Sequence, residues 1–272
     1  MANYDVSKYV NMKPSEVRAL IRSGKVKLPT AGMCAGYAQA NLTILPAEYA
    51  ADFKEYANSN PFPVPILEIV DGSPLTRLMA KDGNVLTDIP EYFIYRDGAF
   101  SQRVYDTTEF WQDGYVGFLI GCSFSFEEAL MTAGIEMRHI ATGRIVPMYK
   151  TNIMTQKRGP FEGPMVVSMR PMSPEHAKIA CEITAAMPNV HGAPIHIGDA
   201  SEIGISDISK PDYGEAVEIR EGEVTVFWPC GVTPQVAINN AKLPIAITHS
   251  PGHMFITDIL NTKINALLEA QK

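Results

Sequence analysis

The 272-residue chain has no apolar run approaching the roughly 20 residues that a bilayer-spanning helix needs, so no membrane segment is expected. It has no cluster of Lys and Arg either. The 23 basic residues face 30 acidic ones, for a net charge of −7. A nucleic-acid partner is disfavoured, because phosphate neutralisation needs a basic footprint. The four cysteines, Cys34, Cys122, Cys181 and Cys230, are far apart and form no C-x-x-C. Reduced thiols in a cytoplasm are the simplest reading. The opening residues, Met1 to Lys8, have no apolar core, so no signal peptide is expected. There is no H-E-x-x-H and no paired C-x-x-C, hence no strong metal motif.

What is present is ordinary globular composition, 46% hydrophobic and 19% charged, enough apolar surface for a sizeable core. Length suggests one compact unit, 1–272, or two intimate lobes. Pro14 to Gly24 reads as a helix with Pro at its start and Gly after its end. Pro46 to Asn58 is a second, with Tyr49, Phe53 and Tyr56 on one stripe. Ser173 to Met187 is a third, with Ser173 as N-cap and Pro174 after it. Strands are expected at 66–70, 92–96, 115–120, 144–150, 165–170 and 243–248. A hairpin is expected for 216–220 with 224–228, and a C-terminal helix with Ile256, Ile259 and Leu260 inward. Mixed strand–helix units and hairpins argue for an α/β class with α+β character.

One local design occurs three times. An apolar strand ends, a small polar segment follows, and a helix is expected. The first corner is Gly121-Cys122-Ser123-Phe124-Ser125-Phe126-Glu127. The second is Phe227-Trp228-Pro229-Cys230-Gly231-Val232-Thr233-Pro234-Gln235, with Thr233 as N-cap. The third is Thr248-His249-Ser250-Pro251-Gly252-His253, with Ser250 as N-cap. Helix N-termini present free N–H groups and partial positive charge, which suits carboxylates. The plain alternative is that capped helices follow strands in every α/β protein.

The reactive residues divide by chemistry. His249 and His253 are four apart, like ligands on a helix face, but Pro251 and Gly252 intervene, so proton handling fits them better. His196 with Asp199, near His191 and Glu202, could serve acid–base work or hold a divalent cation. Cys122 and Cys230 each precede an expected helix start, where a thiolate would be stabilised, although a buried structural Cys is commoner. Arg138, Lys150 and Arg170 are candidates for binding carboxylates, and Arg170, between a strand and Pro171, is the one most expected to be buried. Solvated surface charge is the default for such groups.

Several segments together resemble a family of bacterial hydro-lyases related to the D-glutamate cyclase of animals. They include Glu16-Val17-Arg18, Pro29-Thr30-Ala31-Gly32, Gln39-Ala40-Asn41-Leu42 and Gly121 to Glu127. Pro147 to Asn152, His191 to Pro194, Phe227 to Gln235 and Thr248 to Met254 carry the rest, so the resemblance spans nearly the whole chain. One departure is Val64, where many members carry Cys. The resemblance implies a three-layer α/β lobe, expected at 1–133 plus 191–272. It also implies a smaller two-layer α+β lobe, expected at 134–190. It implies loss of water from a small carboxylic or amino acid, with cyclisation of D-glutamate to 5-oxo-D-proline as the leading reaction. Two readings stand beside it: a hydratase or dehydratase of another small acid, assisted by a divalent metal, and a non-catalytic module that binds a small acid for a partner enzyme. Under the leading reading, His249, His253, Cys122, His196 and Asp199 are the expected catalytic groups. Ser123, Arg138, Lys150, Asn152, Arg170, Cys230, Gly231, Thr233 and Ser250 are the expected substrate contacts. No cofactor is expected beyond the divalent metal of the alternative reading; the expected partners are a small carboxylate substrate and a second copy of the chain.

Overall fold

The computed structural model describes residues 5–271. The elements run α1 (Pro14–Arg22), β1 (Tyr37–Pro46), α2 (Ala47–Ser59), β2 (Ile66–Val70), β3 (Tyr92–Arg96), β4 (Ala99–Val104) and β5 (Tyr115–Gly121). They continue with α3 (Phe124–Thr132), α4 (Arg138–Ala141), β6 (Met148–Met154), β7 (Pro164–Met172), α5 (Pro174–Ala185), β8 (His196–Ile197) and β9 (Val224–Pro229). The last are α6 (Thr233–Ala241), β10 (Ala246–His249), β11 (Phe255–Leu260) and α7 (Ile264–Glu269). Helices and strands are thus mixed along the chain, as an α/β class requires. Every described strand pairing is antiparallel, which is its α+β character.

The larger sheet has the order β2-β5-β1-β10-β3-β4, with β11 also on β1. Side-chain alternation splits it between two cores. Ala38, Ala40, Leu42, Ile44, Leu119 and Ile94 face a core shared with Phe126 and Leu130 of α3 and Ala177 and Ala180 of α5. Leu45, Phe118, Ile120 and Tyr95 face the other, with Phe53 and Tyr56 of α2 and Ala237 and Ile238 of α6. β5 is buried at all seven positions, so its near-continuous apolar run marks a central strand.

The smaller sheet has the order β6-β7-β9-β8. Its strands come from 148–172 and from 196–229, β9 pairing with β7 on one side and β8 on the other. On β7, Val167 and Met169 face a local core with Phe227, Ile203 and Ile205. Alternation turns Ser168, Arg170 and Met172 to the opposite side, toward α3 and α5.

Three segments differ from the sequence reading. Residues 255–260 are β11, not helix, because β1 offers them a strand partner; Gln39 and Ala40 pair with Ile256 and Phe255. Residues 216–220 form no strand, because β7 and β8 already occupy both sides of β9. Residues 144–147 precede β6 as an irregular segment. No described helix is long and apolar enough to cross a membrane.

Candidate active site

A cavity of ≈540 Å³ opens where three segments meet, a size usual for small-molecule sites. Pro29, Ala31 and Gly32 form one wall, Phe124 at the start of α3 another, and residues 139–146 a third, with Gly252 beside Pro29. The walls are tied by backbone. Thr30 N–H donates to Gly252 O (2.9 Å), and Met254 N–H donates to Thr30 Oγ1 (2.9 Å). A chamber of ≈130 Å³ adjoins it, sharing Ala31, Gly32, Phe124 and Ile140, and is lined further by Gln39, Glu127, Glu128 and Asn261.

Behind these walls lies a buried ionic group. Glu127, on the first turn of α3, is 2% exposed, and Arg170, from the inward face of β7, is 0% exposed. Two opposite charges in apolar elements must find each other, since a lone buried charge costs several kcal/mol. Arg170 Nε donates to Glu127 Oε1 (3.0 Å), and its Nη2 contacts the same oxygen. Its other bonds go to Ser168 Oγ (2.8 Å) and Ser123 Oγ (3.1 Å), and its guanidinium lies over the rings of Phe126 and Trp228. His139 lines the large cavity and places Nε2 3.2 Å from Glu127 Oε1. Burial alone would raise the Glu127 pKa, but His139 and Arg170 outweigh it and hold the carboxyl at about 2. The result is an ionised carboxylate 3.2 Å from the Nε2 of a cavity-lining imidazole, with which it makes no aligned hydrogen bond.

The first two corners converge on this group. Ser123 reaches Arg170, and the thiols of Cys122 and Cys230 lie close enough to influence each other, Glu127 and Arg170. Asn41 of β1 bridges the corners: its Nδ2 donates to Gly121 O (2.6 Å), and a Cβ on Gly231 would collide with its amide. The convergence is sealed, however. Burial pushes the Cys122 thiol up to about 12 and Cys230 up to about 11, so neither supplies the thiolate expected at a helix start. Thr233 does not cap α6 through its side chain; its Oγ accepts from Val166 N–H (3.0 Å) and fastens the corner to β7.

The third corner is no helix start. Residues 251–252 turn directly into β11. Ser250 Oγ donates to Glu91 Oε1 (2.7 Å), which also receives Arg103. His249 is 1% exposed and fills the gap where β1 passes from β10 to β11; its Nδ1 meets the backbone of Leu42, accepting from N–H at 3.1 Å. Burial lowers its pKa to about 4, and it lines neither cavity. His253 packs Nδ1 against Pro251 O (3.1 Å); burial lowers its pKa against the pull of Glu91. Of this motif, Gly252 reaches the cavity.

Other expected contacts lie apart. Arg138 is spent on Glu223 (2.6 Å) and Glu136 (3.0 Å), while its Nη1 holds Glu218 O (2.8 Å). Lys150 and Asn152 are exposed on β6, Lys150 near the ring of Tyr213. His196 directs Nε2 to Asp199 O (2.7 Å), and the Asp199 carboxylate caps a single turn through Ser201 N–H (2.9 Å). Among the described residues no group of three or more His, Cys, Asp or Glu gathers as metal ligands.

Reading residue types missed His139, Glu127 and Arg144. The signal for Glu127 was available: an acidic residue on an otherwise apolar helix face needs a buried cation, and Arg170 is the Arg in an apolar strand.

A mixed α/β frame with a small-molecule-sized cavity and an ionised carboxylate beside an imidazole at its wall defines an enzyme-like small-molecule site. The comparisons narrow the class. A family model described as D-glutamate cyclase matches residues 116–258, which include Glu127, His139 and Arg170. A relative from Clostridium beijerinckii is 56% identical over 257 residues, covering 94% of this chain and 98% of that protein. One from Bacillus subtilis is 53% identical over 94% of this chain and 100% of its own length. One from Stutzerimonas stutzeri is 49% identical over 97% of this chain and 100% of its own. All three are named "Putative hydro-lyase", the second with the suffix YcsI. The chain belongs to the D-glutamate cyclase family, and these names support a lyase.

Proposed function

We propose that this protein cyclises D-glutamate to 5-oxo-D-proline with loss of water, in the cavity bounded by Pro29–Gly32, Phe124 and residues 139–146. The observation that carries this is His139, which lines the cavity while Glu127, braced by Arg170, lies 3.2 Å from its Nε2. Nδ1 is then the ring atom left for substrate. In the mechanism proposed, the Nε2 tautomer faces the carboxylate and Nδ1 offers its lone pair to the substrate.

Two protons leave the α-ammonium and one oxygen leaves the γ-carboxylate. His139 takes the first proton as the nitrogen attacks the γ-carbon, and the Glu127 carboxylate stabilises the imidazolium that forms. The second proton passes from nitrogen to one oxygen of the tetrahedral species. His139 returns its proton to that same oxygen, which departs as water while the other regains its double bond. Backbone N–H groups of Ala31 and Gly32, two residues that line the cavity, would bear the oxyanion. Arg144, the cation on the cavity wall, suits the α-carboxylate. Folding the substrate so that amine and γ-carbon meet supplies the remaining advantage.

The test is product formation. Purified protein incubated with D-glutamate, L-glutamate or buffer is followed by chiral chromatography for 5-oxoproline. Enzyme-dependent 5-oxo-D-proline is expected; its absence, with and without added divalent metal, would refute the reaction.

A further inference from the structure

The cavity wall that carries His139 cannot hold itself. α4 has four residues, too few for a helix to stand without support, and residues 142–147 after it are irregular. Support comes from residues 213–223, a strap that is neither helix nor strand apart from one bridge between Tyr213 and Met148. The two segments run antiparallel and are joined along their length. Tyr213 and Met148 exchange backbone bonds (3.1 and 2.9 Å), and Glu215 N–H donates to Ile145 O (3.1 Å). Arg144 Nη1 contacts Ala216 O, and Arg138 Nη1 donates to Glu218 O (2.8 Å). Gly214 permits the close approach: at φ +74°, a Cβ there would strike Val146 O.

The strap is half-buried or exposed throughout, but it has one buried fastening. The side chains of Arg138 and Glu223 are 3% and 14% exposed. Arg138 Nη2 donates to Glu223 Oε1 (2.6 Å) and its Nη1 to Oε2 (3.3 Å), a fork on a carboxylate. Glu223 also accepts from Arg220 N–H (2.7 Å) and stands one residue before β9, where Val224 pairs with Met172 of β7. Two residues earlier on β7 is Arg170, which holds Glu127. One sheet therefore places both partners, Glu127 through Arg170 and His139 through Glu223 and Arg138. The contact that results is close, at 3.2 Å, but not aligned as a hydrogen bond. Such contacts tighten in the reacting complex, so a small displacement of α4 decides whether Nε2 faces the carboxylate.

We propose that Arg138 and Glu223 form a positioning pair, which sets α4 on the smaller sheet and thereby aligns the His139 ring with Glu127. This rests on the cyclase reading for what the ring does. It gives Arg138 a role in the reaction without substrate contact: its charge is used to place its neighbour. Arg138 and His139 are adjacent in α4 and take separate carboxylates, one from the strap and one from α3.

The experiment is histidine-selective ¹⁵N NMR of the full chain, with the His139 ring assigned by the signals lost in His139→Asn, beside kcat and KM for 5-oxo-D-proline formation. In Glu223→Ala the His139 ring signals should move while those of His191 and His249 stay. In that variant kcat should fall about tenfold with KM within about twofold of wild type. Glu223→Asp, which keeps the carboxylate, should lie between Glu223→Ala and wild type in both readouts. Arg138→Lys keeps the charge but loses the fork, should act like Glu223→Ala, and is the second variant if that one folds poorly. Unmoved His139 signals in both variants would overturn the proposal whatever the rate does, since any loss would then be one of general stability. Moved signals with unchanged kcat would overturn it and leave the cyclase reading standing. Moved signals in a protein whose wild type makes no 5-oxo-D-proline would uphold the positioning of the ring and count against the cyclase reading.

Discussion

His249 and His139 are both almost fully enclosed, 1% and 4% exposed, yet they do different things. His249 meets the backbone of Leu42 and closes a gap between strands. His139 meets an ionised carboxylate and lines a cavity. The difference teaches that burial and local motif density do not mark a catalytic imidazole. The partner does. A ring with one nitrogen on backbone and the other buried and unpaired has nowhere to pass a proton, whereas a ring beside a carboxylate and open space can exchange one.

The comparison can be broken at its foundations first. Arg170→Ala leaves Glu127 buried without its main cation and should cost about 3–5 kcal/mol, read by denaturant unfolding. The double variant Glu127→Leu with Arg170→Met should recover most of that stability while losing activity. Stability equal to wild type in Arg170→Ala would mean Glu127 is not a buried anion. His249→Leu removes the acceptor of Leu42 N–H and should cost about 1–3 kcal/mol, with turnover per folded molecule nearly unchanged. Selective loss of turnover at full stability would restore His249 to the chemistry.

Acid sharpens the same contrast. The depressed pKa values of His249 and His191, both about 4, mean the unfolded chain binds protons that the folded chain refuses as pH falls below the ordinary histidine value. Their contribution is full above about pH 6.5 and is lost toward pH 4. Glu127, held at about 2, adds a further loss between the ordinary glutamate range and that value. The melting temperature should therefore fall in two stages on acidification, and His249→Leu should flatten the upper one. A flat profile from pH 7 to 4 would contradict these environments. The smallest effects belong to the smaller sheet. Lys150→Ala and His196→Ala should each change stability by no more than about 0.5 kcal/mol and leave turnover near wild type.

The sequence makes the frame legible where local signals are strong. The Ser173-Pro174 start of α5, whose Ser173 Oγ accepts from His176 N–H (3.1 Å), and the apolar β5 are readable directly. β11 is not, because Phe255–Leu260 carries an ambiguous apolar pattern that only its pairing with β1 resolves. The site is harder still. Residues of the first two corners do gather, but around an ion pair whose partners lie 43 residues apart in the chain. His139 stands beside Arg138, which drew notice for its charge yet spends it on Glu223 and Glu136. Nothing local separates those two neighbours; the cavity does.

The most direct measurement is kcat for 5-oxo-D-proline formation in His139→Ala and His249→Leu, assayed side by side with their melting temperatures. His139→Ala should lose about 10²–10⁴-fold in rate while staying folded, and His249→Leu should lose stability while keeping most of its rate. Full activity in His139→Ala, or the reverse pattern between the two, would contradict the assignment of this cavity as the active site.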